Sequence, residues 1–107
     1  LNDKKGEAIK NSITYLLKKT NFELNEFYDL YEKISDNFNN YFSIVLSVIF
    51  FEVKLQISSQ IHNLDKIKDA LNYLDFIKKI SNNEIKIDKK RILHLIFSEY
   101  FRFNLNK

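Results

Sequence analysis

The sequence predicts an all-α fold, a compact bundle of five or more helices. Three observations carry the prediction. The 107 residues contain no Pro and a single Gly, Gly6, whereas β-rich folds use both residues freely in tight turns. Apolar residues recur at helical spacing along most of the chain. The breaks between these runs, at residues 36–40 and 81–83, are Asn-rich and read as loops inside one domain. A chain of this length makes one domain of ordinary size with a large surface-to-volume ratio. Residues 1–12 are expected to be the end of a preceding domain or the start of the first helix, and residues 13–107 the bundle.

Asp3 is a plausible N-cap for the first helix, whose apolar face holds Ala8, Ile9, Ile13, Leu16 and Leu17. Thr20 and Glu23 have capping-box spacing and open a second helix with Leu24, Phe27, Tyr31 and Ile34 on one side. The third segment, residues 41–61, carries two patterns. Val45, Ile49, Val53, Ile57 and Ile61 recur every four residues, yet residues 51–58 alternate as a strand does. Length arbitrates for a helix, since about 20 residues without Gly or Pro exceed an ordinary strand. Its apolar run, residues 41–51, is interrupted by Ser43 and Ser47 and followed by Glu52 and Lys54. That run falls short of the roughly 20 apolar residues of a membrane span, so a buried central helix is expected.

Asn63 or Asp65 caps a fourth helix with Leu64, Ile67, Leu71 and Leu74, followed by Ile77 or Lys78. Residues 84–87 form a short connector and Asp88 caps the fifth helix. That helix has little polar surface. Ile92, Leu93, Leu95, Ile96, Phe97, Tyr100, Phe101 and Phe103 leave one polar stripe, His94, Ser98 and Arg102, with Glu99 beside it. A helix packed on one side only shows the reverse proportions. The helix also opens on Lys89, Lys90 and Arg91, where its dipole disfavours positive charge.

Composition removes several function classes. With no Cys there is neither a disulfide nor a thiolate metal site, which fits a reducing, cytoplasmic setting. His62 and His94 are isolated, and residues 3–8 make no P-loop. Glu52, Asp65, Asp69 and Asp75 lie among lysines at helical spacing and read as solvated faces. No nucleophile with its base and no carboxylate pair emerges, so no enzyme, cofactor or metal is expected. No signal peptide is visible in residues 1–12, and a chain without Met reads as an excised fragment or a processed product. The ten Phe and six Tyr sit beside Leu and Ile at core spacing, which favours packing over base stacking.

What remains is apolar excess. One such helix can be central to a small domain; two argue for a protein neighbour. The expected partner surface is Ile96, Tyr100, Phe101 and Phe103 of the fifth helix with Phe50 and Phe51 of the third. Lys89, Lys90 and Arg91 are the candidate electrostatic contact, either with an acidic partner or with a phosphate backbone. The net charge of +3 is mild for a dedicated nucleic-acid binder. A small helical subunit that binds nucleic acid or another protein is therefore the alternative reading.

Two stretches carry a resemblance. Leu1-Asn2-Asp3-Lys4-Lys5-Gly6-Glu7-Ala8-Ile9 is similar to the segment that ends the AAA+ lid of bacterial clamp-loader subunits. Gly6, Ala8 and Ile9 match, while Asp3 and Lys4 stand where the family has Gly-Ser. Ile85-Lys86-Ile87-Asp88-Lys89-Lys90-Arg91-Ile92-Leu93 resembles the start of the final helix in δ′ subunits of DNA polymerase III. Residues 70–80 fall where that family has its penultimate helix. The resemblance implies a helical collar domain, clamp-loader-like, that packs beside the collars of δ and γ/τ subunits in a five-membered ring. It implies contact with DNA only through the complex, no membrane, and no ATPase activity. Glu7 would stand where active relatives place a sensor Arg.

Overall fold

A computed structural model describes residues 4–19, 21, 23–82 and 88–103. Their regular elements are α1 Lys4–Leu17, α2 Leu24–Ile34, a 3-10 turn Ser35–Asn37, α3 Phe38–Ser59, α4 Leu64–Ser81 and α5 Lys89–Arg102. No strand occurs among the described residues, and the alternating residues 51–58 lie inside α3. Because α2, the 3-10 turn and α3 follow without an intervening loop, the described chain makes four uninterrupted helical stretches. The all-α class holds; the expected count of five or more is too high by one.

Side chains at the helix ends explain most boundaries. The Asn63 side chain accepts from the Lys66 backbone N–H at 3.2 Å and starts α4. Asp88 does the same for Arg91 at 3.0 Å and starts α5. The Asn-rich break is tighter than expected. Asn39 and Asn40 already belong to α3, and only Asn37, at φ −145° and ψ 58°, leaves helical geometry. α2 opens where the capping box at Thr20 and Glu23 is expected. Thr20 lies outside the described residues, and Glu23, the N-cap, makes no side-chain cap bond. Instead Lys19 pairs with Glu26 and, at 3.7 Å, with Glu23. The Asp3 cap and the connector at residues 84–87 also lie outside the described residues.

Cross-contacts set the helix directions. Lys5 reaches Asp36 at 2.7 Å, Lys33 lies 3.4 Å from Ser12, and Lys19 meets Glu26, so α2 runs antiparallel to α1. Lys5 also sits 5.3 Å above the Tyr41 ring at the start of α3. The chain has therefore reversed at Asn37, and α3 runs parallel to α1.

One apolar core joins α1 to α5. Ile9, Ile13 and Leu17 of α1 meet Phe27 and Ile34 of α2, and Val45, Ile49 and Val53 of α3. Tyr73 and Ile77 of α4 meet Leu93, Ile96, Phe97 and Tyr100 of α5. No polar or charged residue is fully buried among those described. The radius of gyration, 13.6 Å, is close to the ~13 Å of a compact chain of this size. Residues 4–12 form the first part of α1, where Ile9 is buried in the common core.

One expectation about the apolar helices changes. Every apolar residue between positions 92 and 103 of the last helix is buried or half-buried within the chain itself. Its excess is a core property. In α3 the apolar side chains are likewise buried or half-buried, except Phe51 and Leu55. The stretch Leu24–Ser59 is long and apolar enough to cross a membrane by length and composition, a test that core helices of soluble proteins also pass. Of its apolar window 22% is buried, and α3 packs against α1, α2 and α4.

Candidate interaction groove

The inward side of α3 carries Val45, Val48, Ile49 and Val53, and the outward side carries Ser43, Ser47, Lys54 and Ser58. Between the two runs an apolar flank, Ile44, Phe51 and Leu55. Phe51 is 61% exposed and Leu55, one turn on, is 49% exposed. Solvation of a phenyl ring is unfavourable by about 25 cal/mol per Å² of apolar surface, so this flank gains from being covered.

The flank borders a groove of about 650 Å³ between the parallel helices α1 and α3. Lys10 and Thr14 line it from α1; Ser43, Ile44, Ser47, Val48, Phe51 and Glu52 line it from α3. One wall thus bears an ammonium and the other a carboxylate. Other exposed aromatics are treated differently. Lys19 lies 5.4 Å above the Tyr15 ring and Lys90 4.4 Å above the Tyr28 ring, whereas no ammonium covers Phe51 among the described residues.

The residues expected to form a partner surface separate here. Phe51 is on the surface. Phe50 and Phe103 are half-buried and packed against the core, and Phe101 is half-buried. Ile96 and Tyr100 are 0% and 1% exposed and cannot meet a partner, because α4 already covers them. The Tyr73 hydroxyl donates to the Ile96 carbonyl at 2.7 Å, and the Tyr73 and Tyr100 rings meet edge to face at 5.7 Å. The groove residues Lys10, Thr14, Ile44 and Val48, and the exposed Leu55 one turn beyond Phe51, were not anticipated. The signal for them was the run of small polar residues, Ser43 and Ser47, continued by Lys54 and Ser58, which marks the outward side of α3.

The basic start of α5 has intramolecular partners. Lys89 sits 5.4 Å above Phe38, and Lys90 sits above both Tyr28 and, at 5.5 Å, Tyr31. An ammonium over a ring face is attracted by the ring quadrupole. These contacts, with the Asp88 cap, offset the cost of cations at the positive end of the helix dipole. Arg91 is exposed and borders a shallower hollow of about 390 Å³ with Tyr28, His94 and Ser98. The His94 ring meets Phe27 edge-on at 5.2 Å. No group of three or more His, Cys, Asp or Glu placed to hold a metal occurs among the described residues.

Compared with protein-family models, curated proteins and solved structures, the chain matches none of them.

Proposed function

We propose that this chain is a non-catalytic assembly module, and specifically the collar of a clamp-loader subunit of the δ′ type. The observation that carries the assembly reading is the groove between α1 and α3, with Phe51 and Leu55 solvated at its edge. Such a flank rimmed by polar residues is the pattern of a protein interface. The collar assignment rests on the likeness of residues 1–9 and 85–93 to clamp-loader segments. On this reading the apolar flank of α3 buries against a neighbouring collar and fixes subunit order. DNA is reached only through the assembled complex, and the domain needs no cofactor.

Mixing the chain with δ and γ/τ collar domains on a sizing column tests the proposal. Co-elution that is lost on Phe51→Glu is the expected outcome. Independent elution of all three at about 10 μM, a concentration that would populate a micromolar complex, overturns the collar role. A nucleic-acid subunit acting through Lys89, Lys90 and Arg91 would instead bind DNA or RNA with steep salt dependence. Flat titrations at low salt would remove that alternative.

A further inference from the structure

We propose that the outward stripe of α4 docks an amphipathic helix of another protein, one whose apolar seam is flanked by acidic residues. α4 carries two apolar stripes. Ala70, Tyr73, Ile77 and Ile80 are buried and hold the helix to the core. Leu64, Ile67, Leu71 and Leu74 form the other, at the same spacing of three, four and three. This second stripe is the one by which the sequence marks the helix, yet the fold leaves its outer edge open. Leu64 is 77% exposed and Leu71, two turns on, is 54% exposed, while Ile67 and Leu74 are half-buried. Among the described residues, none of α4 lines the groove between α1 and α3, so this is a separate surface.

The spacing selects a helix as the occupant. A stripe of this repeat on one helix interlocks with a second helix that has the same repeat. The charges beside the stripe select its sign. Lys68 lies one turn from both Leu64 and Leu71, and Lys78 takes the next place on the stripe, one turn beyond Leu74. Both lysines are exposed, and neither forms an ion pair among the described residues. Asp75, on the same edge, is held by Lys79 at 3.3 Å. Asp65 and Asp69 lie farther round the helix. The edge is therefore net positive. Flanking charges of this kind draw in carboxylates at the matching places of a partner helix and repel ammonium groups. A second copy of α4 would set one net-positive edge against another, which disfavours it as the occupant.

Two synthetic helices of about three heptads test the pairing. They share a Leu seam and differ only in carrying Glu or Lys at the flanking places. Fluorescence anisotropy of each labelled peptide, with the whole chain titrated to roughly 1 mM, reads the affinity. The Glu peptide is expected to bind at least about tenfold more tightly than the Lys peptide. Leu71→Gln is expected to weaken it by a similar factor, whereas Phe51→Glu, in the separate groove, leaves it unchanged. Lys68→Glu combined with Lys78→Glu is expected to reverse the order of the two peptides. Circular dichroism checks that each variant keeps its helices, and Leu64→Gln replaces Leu71→Gln if that one does not. Equal binding of the two peptides, binding of neither, or binding that the stripe variant leaves intact overturns the proposal. So does binding lost in Phe51→Glu, which would place the peptide in the α1–α3 groove. Self-association that Leu71→Gln abolishes, with neither peptide bound, overturns it in favour of a second copy. None of these outcomes bears on the collar assignment, which uses the groove.

Discussion

Two tyrosines hold α4 to α5, and their hydroxyls carry the clearest consequences of burial. The Tyr73 hydroxyl donates to the Ile96 carbonyl at 2.7 Å inside the core. Tyr73→Phe removes that bond without opening a large cavity, and is expected to cost about 1 kcal/mol in urea unfolding. Tyr100 is pushed up to about 12, first by burial and then by the charge of Glu52. Tyr73 is raised as well, chiefly by burial. The folded state therefore keeps both protons after the unfolded chain has begun to lose them near pH 10. Their contribution is full below pH 10 and falls as pH rises toward 12. For Tyr100 the loss by the top of that window is on the order of 2 kcal/mol. Urea midpoints at pH 9 and pH 11 should show a drop that shrinks in Tyr100→Phe; an equal drop in both proteins would remove Tyr100 as its source. At the acid end, Lys5 beside Asp36 holds that carboxyl below the usual carboxylate range, so its small surface contribution is lost only as pH falls below about 4.

At the scale of elements, the start of α5 shows how an unfavourable local sequence is tolerated. Asp88 caps the helix through the Arg91 N–H, and Lys90 covers the rings of Tyr28 and Tyr31. Asp88→Ala is expected to cost about 1 kcal/mol by loss of the cap. Lys90→Ala, which relieves charge at the dipole, should still cost up to about 1 kcal/mol, because the ring contact goes with it. A stabilised Lys90→Ala protein in thermal unfolding would show that the ring contacts contribute little. This arrangement was only half legible in the sequence. Asp88 announces the cap by its position before an apolar run, but nothing local says that α2 brings Tyr28 and Tyr31 beneath Lys90. The same limit explains α5 and α3. Apolar periodicity shows that Ile96, Tyr100, Phe50 and Phe51 leave water, or gain by leaving it, without showing what they meet. In α5 the cover comes from Tyr73 on α4, a contact 23 residues away. In α3 the outward side, with Ser43 and Ser47 and Phe51 beside them, became clear only from the packing.

For the whole molecule the decisive question is whether the N-terminal residues belong to the bundle. The sequence alone allows residues 1–12 to be the tail of another domain, since their polar residues outnumber their apolar ones. Among the described residues, 4–12 form the start of α1. Gly6 and Ile9 are buried on the inward side of α1, in register with Ile13 and Leu17, and α1 forms one wall of the groove. A chain beginning at residue 13 would lose two turns of α1 and leave the Ile9 site in the core open. Ile9→Ala alone is expected to cost 2–5 kcal/mol, roughly, through lost burial and the cavity left behind. That is a large share of the ~5–15 kcal/mol that holds a domain of this kind. Truncation should therefore cost more than Ile9→Ala, and because all the helices share one core the loss should appear as one cooperative transition at lower urea. By contrast, Phe51→Gln, on the solvated edge of the same groove, should shift the midpoint of the monomer by no more than about 0.5 kcal/mol. A truncated chain as stable as the intact one would place residues 4–12 outside the folding unit, and with them the α1 wall of the groove.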